Sequence, residues 1–209
     1  MGNRRLGARR LNALLGEKLA EDNTNKAGDG SRTFVVSNIV SRRGTEVVTE
    51  ITVDLASSEG AASMSGDAGE IIGLSSSAAG VQNGGHAYLA KLTPAVNGYI
   101  YGAEMICTER PLPSAGRDID LKAGTTAARQ FSGSVHGSVK TLVEPAGAWA
   151  LGGYQATGSF KALESLLDTE LDDHYLFLTK GSATDSLIHE YTAGKFTIRL
   201  LGVRATEDK

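Results

Sequence analysis

The sequence predicts a mainly β protein: an antiparallel β-sandwich with one short body helix and a basic N-terminal arm, extended or short-helical. Two observations support this fold class. Several segments alternate apolar and polar residues with a period of two, which is typical of half-buried strands. The 209 residues also include 26 glycines, while aromatic content is only 6%. That composition suits short strands joined by many turns better than a helical bundle.

A basic arm and linker are predicted over residues 1–32, and the body over residues 33–209. Four leucines recur at helical spacing near the start: Leu11, Leu14, Leu15 and Leu19. We therefore expect a short amphipathic helix over about residues 8–21, although Gly16 within it and Gly7 just before it lower its propensity. The polar stretch "EDNTNKAGDGSR" (21–32) follows, and its glycines predict a flexible linker.

The body is predicted to begin with a strand in "TEVVTEITVDL" (45–55), where alternate residues are apolar. A hairpin is predicted next, in "AYLAKLTPAVNGYIYGAEMICTERP", with strands over about residues 88–92 and 99–108. Its turn is placed at Asn97 and Gly98, because both residue types tolerate the positive φ angles of tight hairpin turns.

Three further elements complete the predicted body. "RDIDL" indicates a short strand with its two aliphatic residues on one face and its two internal aspartates on the other. The body helix is predicted in "GSFKALESLLDTELDDHYL", where leucines recur at helical spacing after a possible N-cap at Ser159. The closing segments "HYLFLTKG" and "GKFTIRLLGV" predict two strands that pair as an antiparallel ribbon.

No constellation of catalytic residues emerges, so the sequence predicts neither an enzyme nor a cofactor. "GGYQATGSFK" approaches a phosphate-binding loop, but Ser159 stands where such a loop needs lysine. "GSVHGS" places Ser134 beside His136 without a third group to orient the histidine. Asp118 and Asp120 are the best candidates for divalent-cation ligands, yet a solvated strand edge explains them equally well. No metal site is therefore assigned.

Cysteine content and hydropathy bound the cellular setting. Cys107 is the only cysteine, which excludes an intramolecular disulfide and suits a reducing cytosol. No apolar run approaches the roughly 18 residues that a membrane-spanning helix needs, so no membrane partner is expected. The N-terminus lacks the apolar core of a secretory signal, and acidic residues arrive too early for a transit peptide.

Charge is distributed unevenly along the chain. Residues 1–10 carry a formal charge of +4, which leaves −7 on the other 199 residues because the whole chain carries −3. A targeting peptide, a nucleic-acid arm and a protein-docking arm are the three interpretations of such a segment. Nucleic acid is disfavoured because the arm lacks aromatic residues for base stacking. A protein groove would use both the charge and the leucine stripe, and the predicted partner-binding residues are Arg4, Arg5, Arg9, Arg10, Leu11, Leu14 and Leu15.

Motifs along the whole chain resemble those of one protein family. "NRRLGARRL" is similar to the N-terminal signature of virion structural proteins from marine tailed bacteriophages. "EVVTEITVDL", "ERP" and "RDIDL" resemble landmarks in the middle of those proteins. The close, "YLFLTKGSATDSLIHEYTAGKFTIRLLGV", resembles their shared C-terminal segment. The resemblance supplies no catalytic residues.

This resemblance implies a structural role in a phage virion. The expected protein is a capsid decoration or cement protein, whose arm docks on the major capsid protein and whose body forms dimers or trimers. It would be assembled in the host bacterial cytoplasm and end on the capsid surface. The alternatives are a tail, neck or fibre component, the principal shell protein, or a nucleic-acid-binding protein that uses the basic arm.

Overall fold

The computed structural model describes residues 21–22, 27–31, 33–64, 67–74, 86–113, 117–127, 134–156, 171, 173–181 and 189–204. These residues form twelve strands and one four-residue helix. In chain order they are β1 (Glu21–Asp22), β2 (Val35–Arg43), β3 (Glu46–Asp54), β4 (Ser63–Met64), β5 (Ala90–Lys91), α1 (Pro94–Asn97), β6 (Tyr99–Leu112), β7 (Ile119–Gly124), β8 (Val139–Val143), β9 (Tyr154–Ala156), β10 (Tyr175–Lys180), β11 (His189–Glu190) and β12 (Ala193–Val203).

The strands form two main antiparallel sheets. The larger has six strands in the order β1-β2-β3-β12-β6-β9, and the smaller has four in the order β5-β10-β7-β8. A separate pair joins β11 to β4. One buried apolar cluster takes side chains from both main sheets, so they enclose a common core. The predicted mainly β fold, consistent with a β-sandwich, is confirmed.

The period-two pattern of the sequence correctly predicts several strands. In β3 the residues Val47, Thr49, Ile51 and Val53 are buried, while the residues that alternate with them from Val48 onward are half-buried. In β12 the residues Phe196 and Ile198 are buried in the same core, and every second residue points to the other face. All nine residues of β3 pair with β12, and these two strands are the central pair of the six-stranded sheet.

The predicted hairpin between residues 88 and 108 is wrong. Strand β5 pairs with β10 in the four-stranded sheet, whereas β6 pairs with β12 and β9 in the six-stranded sheet. Helix α1 carries the chain from one sheet to the other. Pro94 starts this helix, which its fixed φ favours, and Asn97 ends it with helical geometry. Only Gly98, at φ +68°, has a positive φ there.

The predicted closing ribbon is also wrong. Strand β10 lies in the four-stranded sheet between β5 and β7, and β12 lies in the six-stranded sheet between β3 and β6. The two strands therefore contribute to opposite walls of the core. The predicted body helix after Ser159 falls outside the described residues.

Residues 27–31 do not form the flexible linker that their glycines predict. The Gly28 amide donates to the Tyr88 carbonyl at 2.9 Å, and the Gly30 amide donates to the His86 carbonyl at 2.7 Å. The Ser31 hydroxyl donates to the Gly28 carbonyl at 3.1 Å and also to that of Tyr88. A side chain at Gly28 would collide with the backbone of His86, so this glycine permits close approach.

Candidate functional site

The seven predicted partner-binding residues lie outside the described part of the chain. They are Arg4, Arg5, Arg9, Arg10, Leu11, Leu14 and Leu15. The first described residues are Glu21 and Asp22, where the arm joins the body. There β1 pairs with β2, with Glu21 opposite Val40 and Asp22 opposite Ile39. The root of the arm is therefore part of the six-stranded sheet.

The outer face of the six-stranded sheet, which points away from the common core, carries a groove of about 580 Å³. Its position follows from the strand register. Leu201 of β12 lies opposite Val48 of β3 on one side and Gly102 of β6 on the other. Ser41 of β2 lies opposite Val48 and completes this row across four strands.

The floor of the groove is apolar. Val48, Leu201 and Ile39 line it, and all three are half-buried although they lie on the outward face. Gly102 adds no side chain to this row, and a Cβ placed there would stand 3.5 Å from Cδ1 of Leu201. The space beside Leu201 is therefore open because residue 102 is a glycine.

Charged side chains occupy the next row of the same face. Arg199 donates from Nε to Oε2 of Glu50 at 2.9 Å, and Tyr154 donates from its hydroxyl to Oε1 of Glu104 at 3.0 Å. This hydrogen bond to Glu104 raises the pKa of the Tyr154 hydroxyl. Exposed ion pairs of this kind contribute only about 0–1 kcal/mol to stability. Their main effect is to fix the side chains that border the groove.

The sequence carried a weak signal for this groove. Val48 and Leu201 are apolar residues on the polar side of their strands' alternation, which is unusual for positions that face solvent. Within the sequence, each of these apolar residues stands out only against the alternation of its own strand. Only the pairing of β3 with β12 shows that the two residues are neighbours.

Asp118 and Asp120, the candidate cation ligands, lie at the start of the four-stranded sheet's β7. Asp120 is buried, at 2% exposure, and its Oδ2 lies 3.2 Å from Nζ of Lys122. Burial raises the pKa of the Asp120 carboxyl, while Lys122 opposes that rise and Asp118 adds to it. Among the described residues, no three His, Cys, Asp or Glu side chains come together as a metal site. The cationic group that contacts the Asp120 carboxyl is the ammonium of Lys122.

The expected solvated position of Asp120 is wrong because the outer face of the four-stranded sheet is covered. Ile71, Ala87 and Phe177 form a second buried cluster on that side. Asp120 lies opposite Thr179 of β10, two residues along the strand from Phe177. The alternation within "RDIDL" therefore separates two buried faces, one aliphatic and one partly polar.

The described residues also include Ser134 and His136, the other pair considered for chemistry. Both are exposed, and Ser134 forms an isolated bridge with Glu70. Cys107 is buried in the common core, and desolvation raises the pKa of its thiol. The groove on the outer face of the six-stranded sheet is therefore taken as the candidate site.

Comparison with known proteins adds no relative: no protein-family model, curated protein or solved structure matches the chain. In the described part of the chain, no helix is long and apolar enough to cross a membrane.

Proposed function

We propose that this protein is a structural component of a tailed-phage virion, a decoration or cement protein on the capsid surface. In this proposal the arm docks on the major capsid protein, and the body forms dimers or trimers on the shell. The chain is assembled in the host bacterial cytoplasm and performs no catalysis. Its part is to add contacts between capsid subunits.

The observation that carries this proposal is the separation of charge between arm and body. Four arginines lie within residues 1–10, while the rest of the chain is net acidic. An arm of this sign is attracted to an acidic cleft on a partner, whereas the net acidic body is repelled by that cleft. The resemblance of "NRRLGARRL" to virion structural proteins supplies the setting.

The structure of the arm's root is compatible with docking. Strand β1 holds Glu21 and Asp22 on the edge of the six-stranded sheet, beside Val40 and Ile39. A partner that binds residues 1–20 would therefore be joined to the whole sheet through backbone hydrogen bonds. A partner bound to the arm would therefore be coupled to the body without a long intervening linker.

Deletion of residues 1–20 tests this proposal, because it removes the predicted docking residues and none of the described ones. Purified phage capsids that lack the protein are mixed with the full chain or the truncated chain and sedimented. We expect the full chain to sediment with capsids and the truncated chain to stay in the supernatant. Normal decoration by the truncated chain would refute the docking role of the arm.

Two arginine-to-serine variants, one in the arm and one in the body, test the role of charge. One replaces Arg4, Arg5, Arg9 and Arg10 with serine. The other replaces the exposed body residues Arg110 and Arg204 with serine and should sediment like the wild type. Because binding through exposed charges is screened by salt, the wild-type interaction should weaken as ionic strength rises. A copy number in particles well below that of the shell protein would instead place the protein in the tail or neck.

A further inference from the structure

We propose that, in the free protein, the leucine-bearing segment 11–19 of the arm docks in the outer-face groove of its own chain. This proposal goes beyond the virion role, since it concerns what the arm contacts before any partner is present. It assigns an occupant to a groove whose floor is apolar and faces solvent in the described residues.

The arm begins at the edge of the sheet that carries the groove. Strand β1 runs antiparallel to β2, with Glu21 opposite Val40. The N-terminal end of β1 therefore points toward Arg43, at the end of β2 that borders the groove. The segment that precedes β1 thus starts beside the groove, on the same sheet.

The distance to the floor is short. Neighbouring strands lie about 4.8 Å apart, so Val48 is two strands and Leu201 three strands inward from β1, where the arm begins. About 14 Å separates β1 from Leu201, and four to five extended residues span about that distance. Leu15 precedes Glu21 by six residues and Leu11 by ten. The arm is therefore long enough to turn over the face and place Leu11, Leu14 and Leu15 above the floor.

The chemistry of the two surfaces matches. Leucines at positions 11, 14 and 15 follow helical spacing and would form a single apolar stripe. The floor offers Ile39, Val48 and Leu201, with open space at Gly102. Its volume of about 580 Å³ lies within the range of roughly 300–1,000 Å³ typical of ligand pockets.

The groove offers no excess of charge to a polyanion. Three glutamates line it, at positions 46, 50 and 104, and three arginines balance them, at positions 42, 43 and 199. Arg199 is already paired with Glu50. Binding of a nucleic acid relies on an excess of positive charge, which this lining lacks. The apolar floor therefore favours the leucine stripe of the arm over a nucleic acid as the occupant.

Paramagnetic relaxation enhancement tests the docking directly. Ala13 lies opposite the leucine stripe on a helical projection, so a nitroxide on Ala13→Cys leaves the proposed contact intact. Cys107 is buried and its thiol pKa is raised, so the unsubstituted chain serves as the control for labelling at that site. We expect loss of amide signals at Val48 and Leu201 in the ¹⁵N-labelled, spin-labelled chain, relative to the same chain after reduction of the nitroxide.

Mixing separates the chain's own arm from that of a second copy. Spin-labelled chain at natural abundance is added to ¹⁵N-labelled chain without a nitroxide. We expect the groove amides of the latter to keep their intensity. Signal loss in this mixed sample as well would overturn the proposal in favour of a second copy, and signal loss in neither sample would overturn it outright.

Two variants test whether the groove itself is responsible. Gly102→Leu fills the space beside Leu201 and should abolish the signal loss, whereas Thr141→Leu, at an exposed position of the other sheet, should not. Should Gly102→Leu fail to fold, the pair Leu11→Ser and Leu15→Ser makes the same test from the arm. Persistent signal loss in that pair would also overturn the proposal. No capsid is present, so these results are independent of whether the chain binds one.

Discussion

Replacement of Trp149 by alanine should destabilise the fold severely, because this side chain connects the two main sheets. Its indole nitrogen donates to the Ile119 carbonyl of β7 at 2.8 Å. Its ring meets that of Phe196 in β12 edge to face, with ring centres 5.4 Å apart and planes at 77°. One side chain thus contacts a strand of the four-stranded sheet and the central strand of the six-stranded sheet.

The magnitude follows from these contacts. Trp149 is only 3% exposed, and truncation of a buried tryptophan to alanine typically costs about 3–5 kcal/mol. Within that cost, the edge-to-face pair accounts for about 0.5–1.5 kcal/mol beyond the buried area. The hydrogen bond accounts for about another 0.5–1.5 kcal/mol. A domain of this kind has about 5–15 kcal/mol of stability in total, so the loss is a large fraction of it.

Urea denaturation followed by far-UV circular dichroism is the appropriate assay. Trp149 is the only tryptophan, so the variant has no intrinsic tryptophan signal to follow. Leu151, in the same loop and 72% exposed, provides the matched control: its change to alanine should alter the free energy of unfolding by less than about 0.5 kcal/mol. Equal unfolding midpoints for the Trp149 variant and the wild type, with equal m-values, would refute the cross-sheet role.

Two further predictions concern buried polar side chains. The pKa of Asp120 is raised by burial, with Asp118 and Glu144 adding to the effect, so its ionised form is penalised in the folded state. The Asp120→Asn variant should therefore become more stable relative to the wild type as pH rises from near 3.9 through the raised pKa. Urea denaturation at several pH values measures this, and a difference between the two midpoints that does not change with pH would contradict it. Asn97 donates from Nδ2 to the Thr49 hydroxyl at 2.9 Å, and both residues are buried. Asn97→Ala should cost about 1–3 kcal/mol in thermal or urea unfolding, and adding Thr49→Val should recover part of that loss; equal stability of Asn97→Ala and the wild type would disprove the pairing's importance.

The strands that the sequence predicts best are those with one clearly apolar face. β3 and β12 each alternate over nine or more residues, so burial of one face requires an extended backbone in a single orientation. β7 was also found from its alternation, but the burial of Asp120 was not. Its environment depends on Ile71 and Phe177, which other parts of the chain bring over the second face of the sheet.

The missed features all depend on pairing between distant segments. Asn97 and Gly98 match a hairpin turn locally, yet β6 pairs with β12, about 90 residues later in the chain. The long-range pairing overrides the local preference of these two residues for a hairpin turn, because it buries one face of β6 in the common core. Pro94 and the hydrogen bonds of Asn97 then suit a short helix that crosses between sheets.

The sequence by itself determined the mainly β class, the inward faces of the central strands and the opposite charges of arm and body. These features follow from local periodicity and composition, which any short window of residues contains. The tertiary structure alone decided which strands are neighbours, that Gly28 and Gly30 pack against residues 86–88, and that Val48, Leu201 and Gly102 form one groove. Strand register places such residues side by side, and register is set by the burial of the whole sheet, which no single segment encodes.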